Sequence, residues 1–233
     1  MRQLPFALPH RTALGRADFL VSPSNAEALS WIDRWPQWPS GVLLLYGPES
    51  CGKTHLAHLW RERSGGLIIG AAQLPAGDLP ALLAAARRGL AVDDAEPAPE
   101  PLLLHLYNSC REEGIGLLLT ARRPPGLWPS ALADLRSRLL AALAVEIRAP
   151  DDALLAAVLV KHFADRQLRV SPEVIRYLVP RMERSLAAAA ALAQRLDAAA
   201  LAAQRPVGVA LAREVLALAG PYPSSSPSEE GVT

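Results

Sequence analysis

The stretch LYGPESCGKT, residues 45–54, decides the fold. It closes with the pattern G-x-x-x-x-G-K-T, from Gly47 to Thr54, and its surroundings matter as much as its letters. An apolar run, VLLLY (42–46), precedes it, and a helical pattern, THLAHLW (54–60), follows. A glycine-rich loop between a strand and a helix can turn backbone N–H groups toward anionic oxygens. In such a loop Lys53 reaches the β- and γ-phosphates of a nucleotide, and the Thr54 hydroxyl ligates Mg2+. The expected cofactor is therefore ADP or ATP with Mg2+, held by Gly47, Pro48, Ser50, Cys51, Gly52, Lys53, Thr54 and His55.

Further apolar runs follow: GLIIG (66–70), GLAV (89–92), IGLLLT (115–120) and ALAVEIR (142–148). Helical patterns separate the runs, at roughly 54–63, 78–88, 101–113 and 131–140. This alternation predicts a parallel five-stranded sheet covered on both faces, which explains runs that are apolar throughout. Upstream, a helix is expected near residues 25–35, and the proline-punctuated loop WPQWP (35–39) follows it. After Pro150 the pattern turns all-helical. Asp151 and Asp152 suit a helix N-terminus, and Ser171 with Pro172 opens a second helix. A long Ala-rich helix over about 183–203 and a last one over about 207–219 complete a small bundle that Gly220 stops. The expected division is an extended peptide (1–10), an α/β nucleotide-binding domain (11–150), a helical lid (151–220) and a disordered Pro/Ser-rich tail (221–233).

The 233 residues carry a net charge of +1, so no whole-molecule field draws the chain toward nucleic acid or anionic lipid. Cys51 and Cys110 are too few for a disulfide framework, which fits a reducing compartment. The start MRQLPFALPH is broken by Pro5 and Pro9 and lacks a signal-peptide core. No run approaches the roughly 18 uninterrupted apolar residues of a membrane span; the Ala-rich helix carries Arg195 and Asp197. A soluble cytoplasmic protein with no membrane partner is expected. The five histidines (His10, His55, His58, His105 and His162) show no metal-ligand spacing, and Trp31, Trp35, Trp38 and Trp60 read as packing between the N-terminal segment and the sheet.

The segment LAVDDAE (90–96) supplies carboxylates at a strand end. Downstream of a phosphate loop, Asp93 reads as the outer ligand to Mg2+ and Asp94 as the base that positions a water. Together with the sensor-like strand ending in Thr120 and the helical lid, these features describe an AAA+ P-loop NTPase.

The resemblance narrows further. GPESCGKTHLA (47–57), LHLYN (104–108), LLLT (117–120), LRSRL (135–139) and MERSLAAAAAL (182–192) resemble, in order, segments of the AAA+ domain of the bacterial replication initiator DnaA. FLVSPSNAEAL (19–29) is similar to that family's nucleotide-base segment. Only thirteen residues (221–233) follow the expected bundle, too few for the initiator's helix-turn-helix domain, so no direct sequence-specific DNA binding is expected. The start QLPFAL (3–8) is similar to peptides that dock on the bacterial sliding clamp, through Gln3, Leu4, Phe6 and Leu8. Apolar residues folding back on the domain are the other reading of that start. The combination resembles the Hda (HdaA) family, the DnaA-homologous AAA+ proteins of regulatory inactivation of DnaA. That resemblance implies a regulator that sits on the DNA-loaded clamp, stimulates hydrolysis of initiator-bound ATP and restrains over-initiation.

By motif, Arg138 matches the family's arginine finger, which completes a neighbour's site, with Arg136 as the nearby alternative. An arginine on the transition-state charge contributes roughly 10³–10⁵ in rate. Arg184 matches the family's second sensor, directed at the chain's own nucleotide. Three departures stand out: Ser50 where related loops carry glycine, Asp94 where many related ATPases carry glutamate, and Arg122 where the initiator has an acidic residue. They lead to the expectation of a weak ATPase, with ADP a plausible resident. Two other readings stay open, a helicase-loader-like or autonomous ATPase and a pure adaptor with a degenerate site. Assembly into a homo-oligomer is likewise open.

Overall fold

Val42–Tyr46 forms β1, and Val42, Leu43, Leu44 and Leu45 are all buried. A strand this apolar on both faces needs neighbours on both edges and layers above and below. It finds β4 (Gly116–Ala121) on one side and β5 (Leu143–Glu146) on the other, both parallel to it. β2 (Leu67–Gly70) and β3 (Gly89–Asp93) extend the sheet beyond β4, giving the order β2-β3-β4-β1-β5 with every pairing parallel. The computed structural model describes residues 15–16, 19–75 and 78–218. The clamp-like peptide (3–8) and the tail (221–233) lie outside the described residues.

All five expected strands form, within one or two residues of the runs that predicted them. One expectation needs refinement. β1, β3 and β4 are buried nearly throughout, whereas all four residues of β2 and half of β5 are half-buried. Those two strands are the sheet edges, where one hydrogen-bonding side has no neighbour.

The chain divides into two compact units. The first comprises Glu27–Tyr46 and Lys53–Glu146, with Phe19 and Leu20. It holds the sheet, most of α1 (Ala26–Arg34), and α2 (Lys53–Ser64), α3 (Leu79–Ala86), α4 (Glu100–Glu112) and α5 (Ala133–Ala141). Its core joins β1, β3 and β4 to α3, α4 and α5 through Leu44, Leu90, Leu119, Leu83, Leu106 and Leu139. A tryptophan cluster closes the other face. Trp38 stacks on Trp60 at 5.2 Å, and Trp35 meets Trp60 edge-on at 6.0 Å. The approach is close enough that a Cβ at Gly116 would lie 2.7 Å from Trp35 Nε1, so the start of β4 requires glycine. Trp31 behaves differently from the other three: its carbonyl accepts from Trp38 Nε1 at 2.7 Å, while its half-buried ring carries the Arg34 guanidinium.

The second unit comprises Val21–Ala26, Gly47–Gly52 and the chain from Ile147 on. It contains α6 (Asp152–Asp165), α7 (Pro172–Leu178), α8 (Leu186–Ala203) and α9 (Val209–Leu218). Asp151 caps α6 by accepting from Leu154 N at 2.7 Å. Ser171 holds the N-cap position of α7, but its side chain makes no capping bond; Pro172 at the first helical position supplies the start signal. α8 begins later than its periodicity predicts because Ser185 leaves the helix and caps it, accepting from Ala188 N at 3.0 Å. By length and composition α8 could cross a membrane. Here it is the core helix of the bundle, with Ala189, Leu192, Ala193 and Leu196 buried, and Arg195 on it donates to the Val215 carbonyl at 2.7 Å.

Candidate functional site

The phosphate loop leaves the carboxyl end of β1 at Gly47 and re-enters helix at Lys53, the first residue of α2. In parallel α/β sheets this edge, where the chain order reverses across β1, is where ligands bind. The loop has the backbone such a role needs. A Cβ at Gly47 would sit 2.0 Å from the Ile147 carbonyl oxygen, so no side chain fits there. Ser50 adopts φ of 55°, a left-handed conformation that glycine takes freely. The sequence departure at Ser50 therefore keeps the loop's shape at the expense of some strain. The Ser50 carbonyl oxygen accepts from Leu186 N at 3.0 Å, a bond within the second unit. Arg184, two residues earlier, is thereby tied to the loop's own unit, where its Nη1 pairs with Asp152 Oδ1 at 2.8 Å. Cys51 is buried, and Pro48 and Glu49 are exposed.

In the first unit, three side chains converge at the carboxyl edge of the sheet. Thr54 Oγ1 lies 3.0 Å from Asp93 Oδ2 and 3.2 Å from Asp93 Oδ1. Thr120 donates its hydroxyl to Asp93 Oδ1 at 2.6 Å and accepts from the Asp94 N–H at 2.8 Å. Parallel register explains the meeting: Asp93 ends β3, and Thr120 is the next-to-last residue of the adjacent β4. Thr54 and Asp93 thus bring a hydroxyl and a carboxylate together, the hard oxygen donors that Mg2+ takes beside a nucleotide's phosphates. Within the first unit, the residues present fit a Mg–nucleotide group: a lysine and a hydroxyl at the start of α2, and a carboxylate at the end of β3.

Asp94 differs from Asp93. Its backbone has φ of 52°, its side chain is exposed, and Arg122 Nε stands 4.0 Å from its Oδ1. Glu96 anchors the same turn, accepting from the Arg122 N–H at 3.3 Å and pairing with Arg123. His55 sits on α2 edge-to-face with Phe19 at 5.1 Å, a packing contact. On the same helix, burial and then the charge of Arg61 hold the His58 imidazole below its ordinary value. Among the described residues no cluster of histidine, cysteine and carboxylate could hold a metal on protein ligands alone.

Arg138 lies on α5, away from these residues in sequence, and its guanidinium is fixed. Nε donates to Asp134 Oδ1 at 3.0 Å and Nη2 to Asp134 Oδ2 at 3.2 Å, while the group lies 5.9 Å from the Tyr107 ring centre. Arg136 is exposed on the same helix. The approach to α5 is held by Glu100, whose carboxylate accepts from Leu132 N at 2.8 Å, Ala131 N at 3.0 Å and Ser130 Oγ at 3.1 Å. Those donors, the Ala131 N–H first, pull the Glu100 carboxyl below its ordinary range. Sequence reading missed Glu96, Glu100 and Asp134, and read Asp152 as a helix N-terminus residue without its pairing to Arg184. The four-residue spacing from Asp134 to Arg138 was a usable signal; nothing local in the sequence links Glu100 to residues 130–132.

The parallel sheet order β2-β3-β4-β1-β5, followed in sequence by a helical unit, is that of the AAA+ fold. Domain III of the Thermotoga maritima replication initiation protein DnaA aligns with a TM-score of 0.75 at 17% identity, covering 90% of this chain and 98% of that one. AMPPCP-bound DnaA from Aquifex aeolicus aligns with a TM-score of 0.65 at 16% identity, over 76% of this chain and 62% of that one. In sequence, the chain is 25% identical to the chromosomal replication initiator protein DnaA of Thermomicrobium roseum over 85% of its own length and 48% of that protein's. The chain therefore spans about half the length of that curated relative. Within the class, residues 151–216 match the family described as Hda, lid domain. The resemblance to the Hda proteins read from the sequence is borne out, as is the AAA+ fold.

Proposed function

We propose that this chain is an Hda-type regulator that holds its own nucleotide and lends an arginine to the replication initiator. By sequence motif, the residues that would hold ADP or ATP are Gly47–Gly52, Lys53, Thr54, His55, Thr120 and Arg184. Thr54 and Asp93 would hold Mg2+, which when bound neutralises phosphate charge. Thr120 orients the Asp93 carboxylate and fixes the backbone of Asp94. Docked in the cytoplasm on the DNA-loaded sliding clamp through Gln3, Leu4, Phe6 and Leu8, the protein would present Arg138 to the initiator's ATP and accelerate its hydrolysis. The initiator and the clamp are the proposed partners.

One observation supports the reading: residues 151–216 match the Hda lid family, in a chain whose α5 carries Arg138 paired with Asp134 and partly exposed. The surroundings of α5 suit a partner surface. Leu127 and Leu140 are largely exposed, and Leu140 reaches beside Gly126. A weak intrinsic ATPase follows from Asp94, whose carboxylate faces the Arg122 guanidinium instead of standing free to orient a water. Steady-state turnover above about 1 s⁻¹ without any partner would contradict that part.

The test uses initiator loaded with labelled ATP, DNA-loaded clamp, and this protein or its Arg138→Ala variant. The expected outcome is conversion of the initiator's label to ADP that requires this protein and drops at least about 10³-fold in the variant. No conversion, with strong intrinsic ATPase instead, would overturn the proposal in favour of an autonomous or loader-type ATPase.

A further inference from the structure

Arg138 is the residue on which the proposed function turns, and the inference here rests on that reading. Its guanidinium has five N–H donors in a rigid fork. Asp134 takes one on Nε and one on Nη2, in the side-on bidentate geometry that fixes both position and rotation of the plane. Three donors remain, two on Nη1 and one on Nη2, all on the far end of the fork. The ring of Tyr107, which is buried, lies near the guanidinium and limits its swing, and the Tyr107 hydroxyl stands 3.5 Å from the Arg138 carbonyl. The arginine side chain keeps 30% of its surface exposed. Asp134, four residues earlier and one turn away, is itself 56% exposed, so this pair adds little to stability.

A contact that contributes little to folding but leaves the outward end of a catalytic fork uncommitted has another use. We infer that Asp134 is a positioning residue for Arg138. It holds the guanidinium in one orientation before the partner arrives, with the remaining N–H groups directed at an incoming phosphoryl group. Without it, the long side chain samples many rotamers, and ordering them must take place in the transition state. Asp134 does not touch the nucleotide; it acts through Arg138.

The prediction is specific to the chemical step. Asp134→Asn keeps shape and one acceptor but loses the charge and the fork-to-fork match. It should lower the maximal rate of initiator-ATP hydrolysis about 3- to 10-fold and leave unchanged the protein concentration giving half-maximal rate. Asp134→Glu, which can still reach one helical turn, should restore most of the rate. In an Arg138→Ala background, Asp134→Asn should have no further effect. An independent readout is the ¹⁵N–¹H resonance of Arg138 Nε, assigned by its disappearance in Arg138→Ala. It should be protected from solvent exchange in the full-length wild-type protein and lose that protection in Asp134→Asn.

The outcomes separate cleanly. A rate unchanged or raised in Asp134→Asn, while Arg138→Ala abolishes stimulation, would overturn the positioning role and leave the regulator reading intact. An Nε resonance indifferent to Asp134→Asn would overturn it as well. Loss of stimulation in neither Arg138→Ala nor Asp134→Asn would overturn the regulator reading itself, and the positioning role with it.

Discussion

Ser50 shows how one residue carries a loop's geometry. Its φ of 55° lies in the left-handed region, which costs an L-residue about 1–2 kcal/mol relative to right-handed backbone and costs glycine nothing comparable. Ser50→Gly should therefore stabilise the protein by roughly 1 kcal/mol, less the added entropy of a glycine in the unfolded chain. Denaturant titration of the two proteins checks this. An unchanged or lower midpoint would mean that the serine side chain contributes contacts that offset its strain. Thr120 makes the complementary point. Its single hydroxyl, almost fully buried, serves both Asp93 and the Asp94 N–H, so one polar atom sets the orientation of the carboxylate and of the turn after β3. The sequence placed Thr120 at a strand end; only the adjacency of β3 and β4 shows what it holds.

At the scale of elements, α4 is the platform for α5. Glu100 on the first turn of α4 gathers the N–H groups of Ala131 and Leu132, which lead into α5, and Tyr107 lies beside Arg138 two turns later. The Glu100 carboxyl is held below its ordinary value of 4.5, mainly by the Ala131 N–H. A carboxyl lowered in the folded state contributes stability that is complete above its unfolded value and is lost as pH falls through the folded one. The difference in thermal midpoint between wild type and Glu100→Gln should therefore be constant above about pH 5.5 and shrink below about pH 4.5. A difference that stays constant down to acid pH would show that the amide replaces the carboxylate fully. Element boundaries were legible where a local signal exists. Asp151 and Pro172 mark the starts of α6 and α7, whereas the late start of α8 depends on Ser185 leaving the helix to cap it.

For the whole molecule, ligand linkage is the decisive observable. A nucleotide that binds only the folded state at 100 times its dissociation constant adds about 2.7 kcal/mol to stability. Mg–ADP or Mg–ATP should thus raise the melting temperature of the wild-type protein by several degrees and leave that of Lys53→Ala unmoved. A shift retained in the variant would remove Lys53 from the phosphate site, and no shift in either would favour an adaptor with a degenerate site.

What the sequence determined alone was everything governed by short range. Apolar runs without alternation specify buried parallel strands, helical periodicity and caps specify the bundle, and glycines with Lys53 and Thr54 specify the phosphate loop between a strand and a helix. Motif order was enough to reach the AAA+ class and the Hda resemblance. The tertiary structure decided which groups meet across long separations. It put the hydroxyls of Thr54 and Thr120 on one carboxylate, Glu100 under the approach to α5, Arg122 beside Asp94, and β2 and β5 at the half-buried edges. The physical reason is that local backbone preference and hydrophobic period are written in neighbouring residues. Strand adjacency and side-chain pairing arise only when the chain closes on itself, and no short window of sequence encodes that closure.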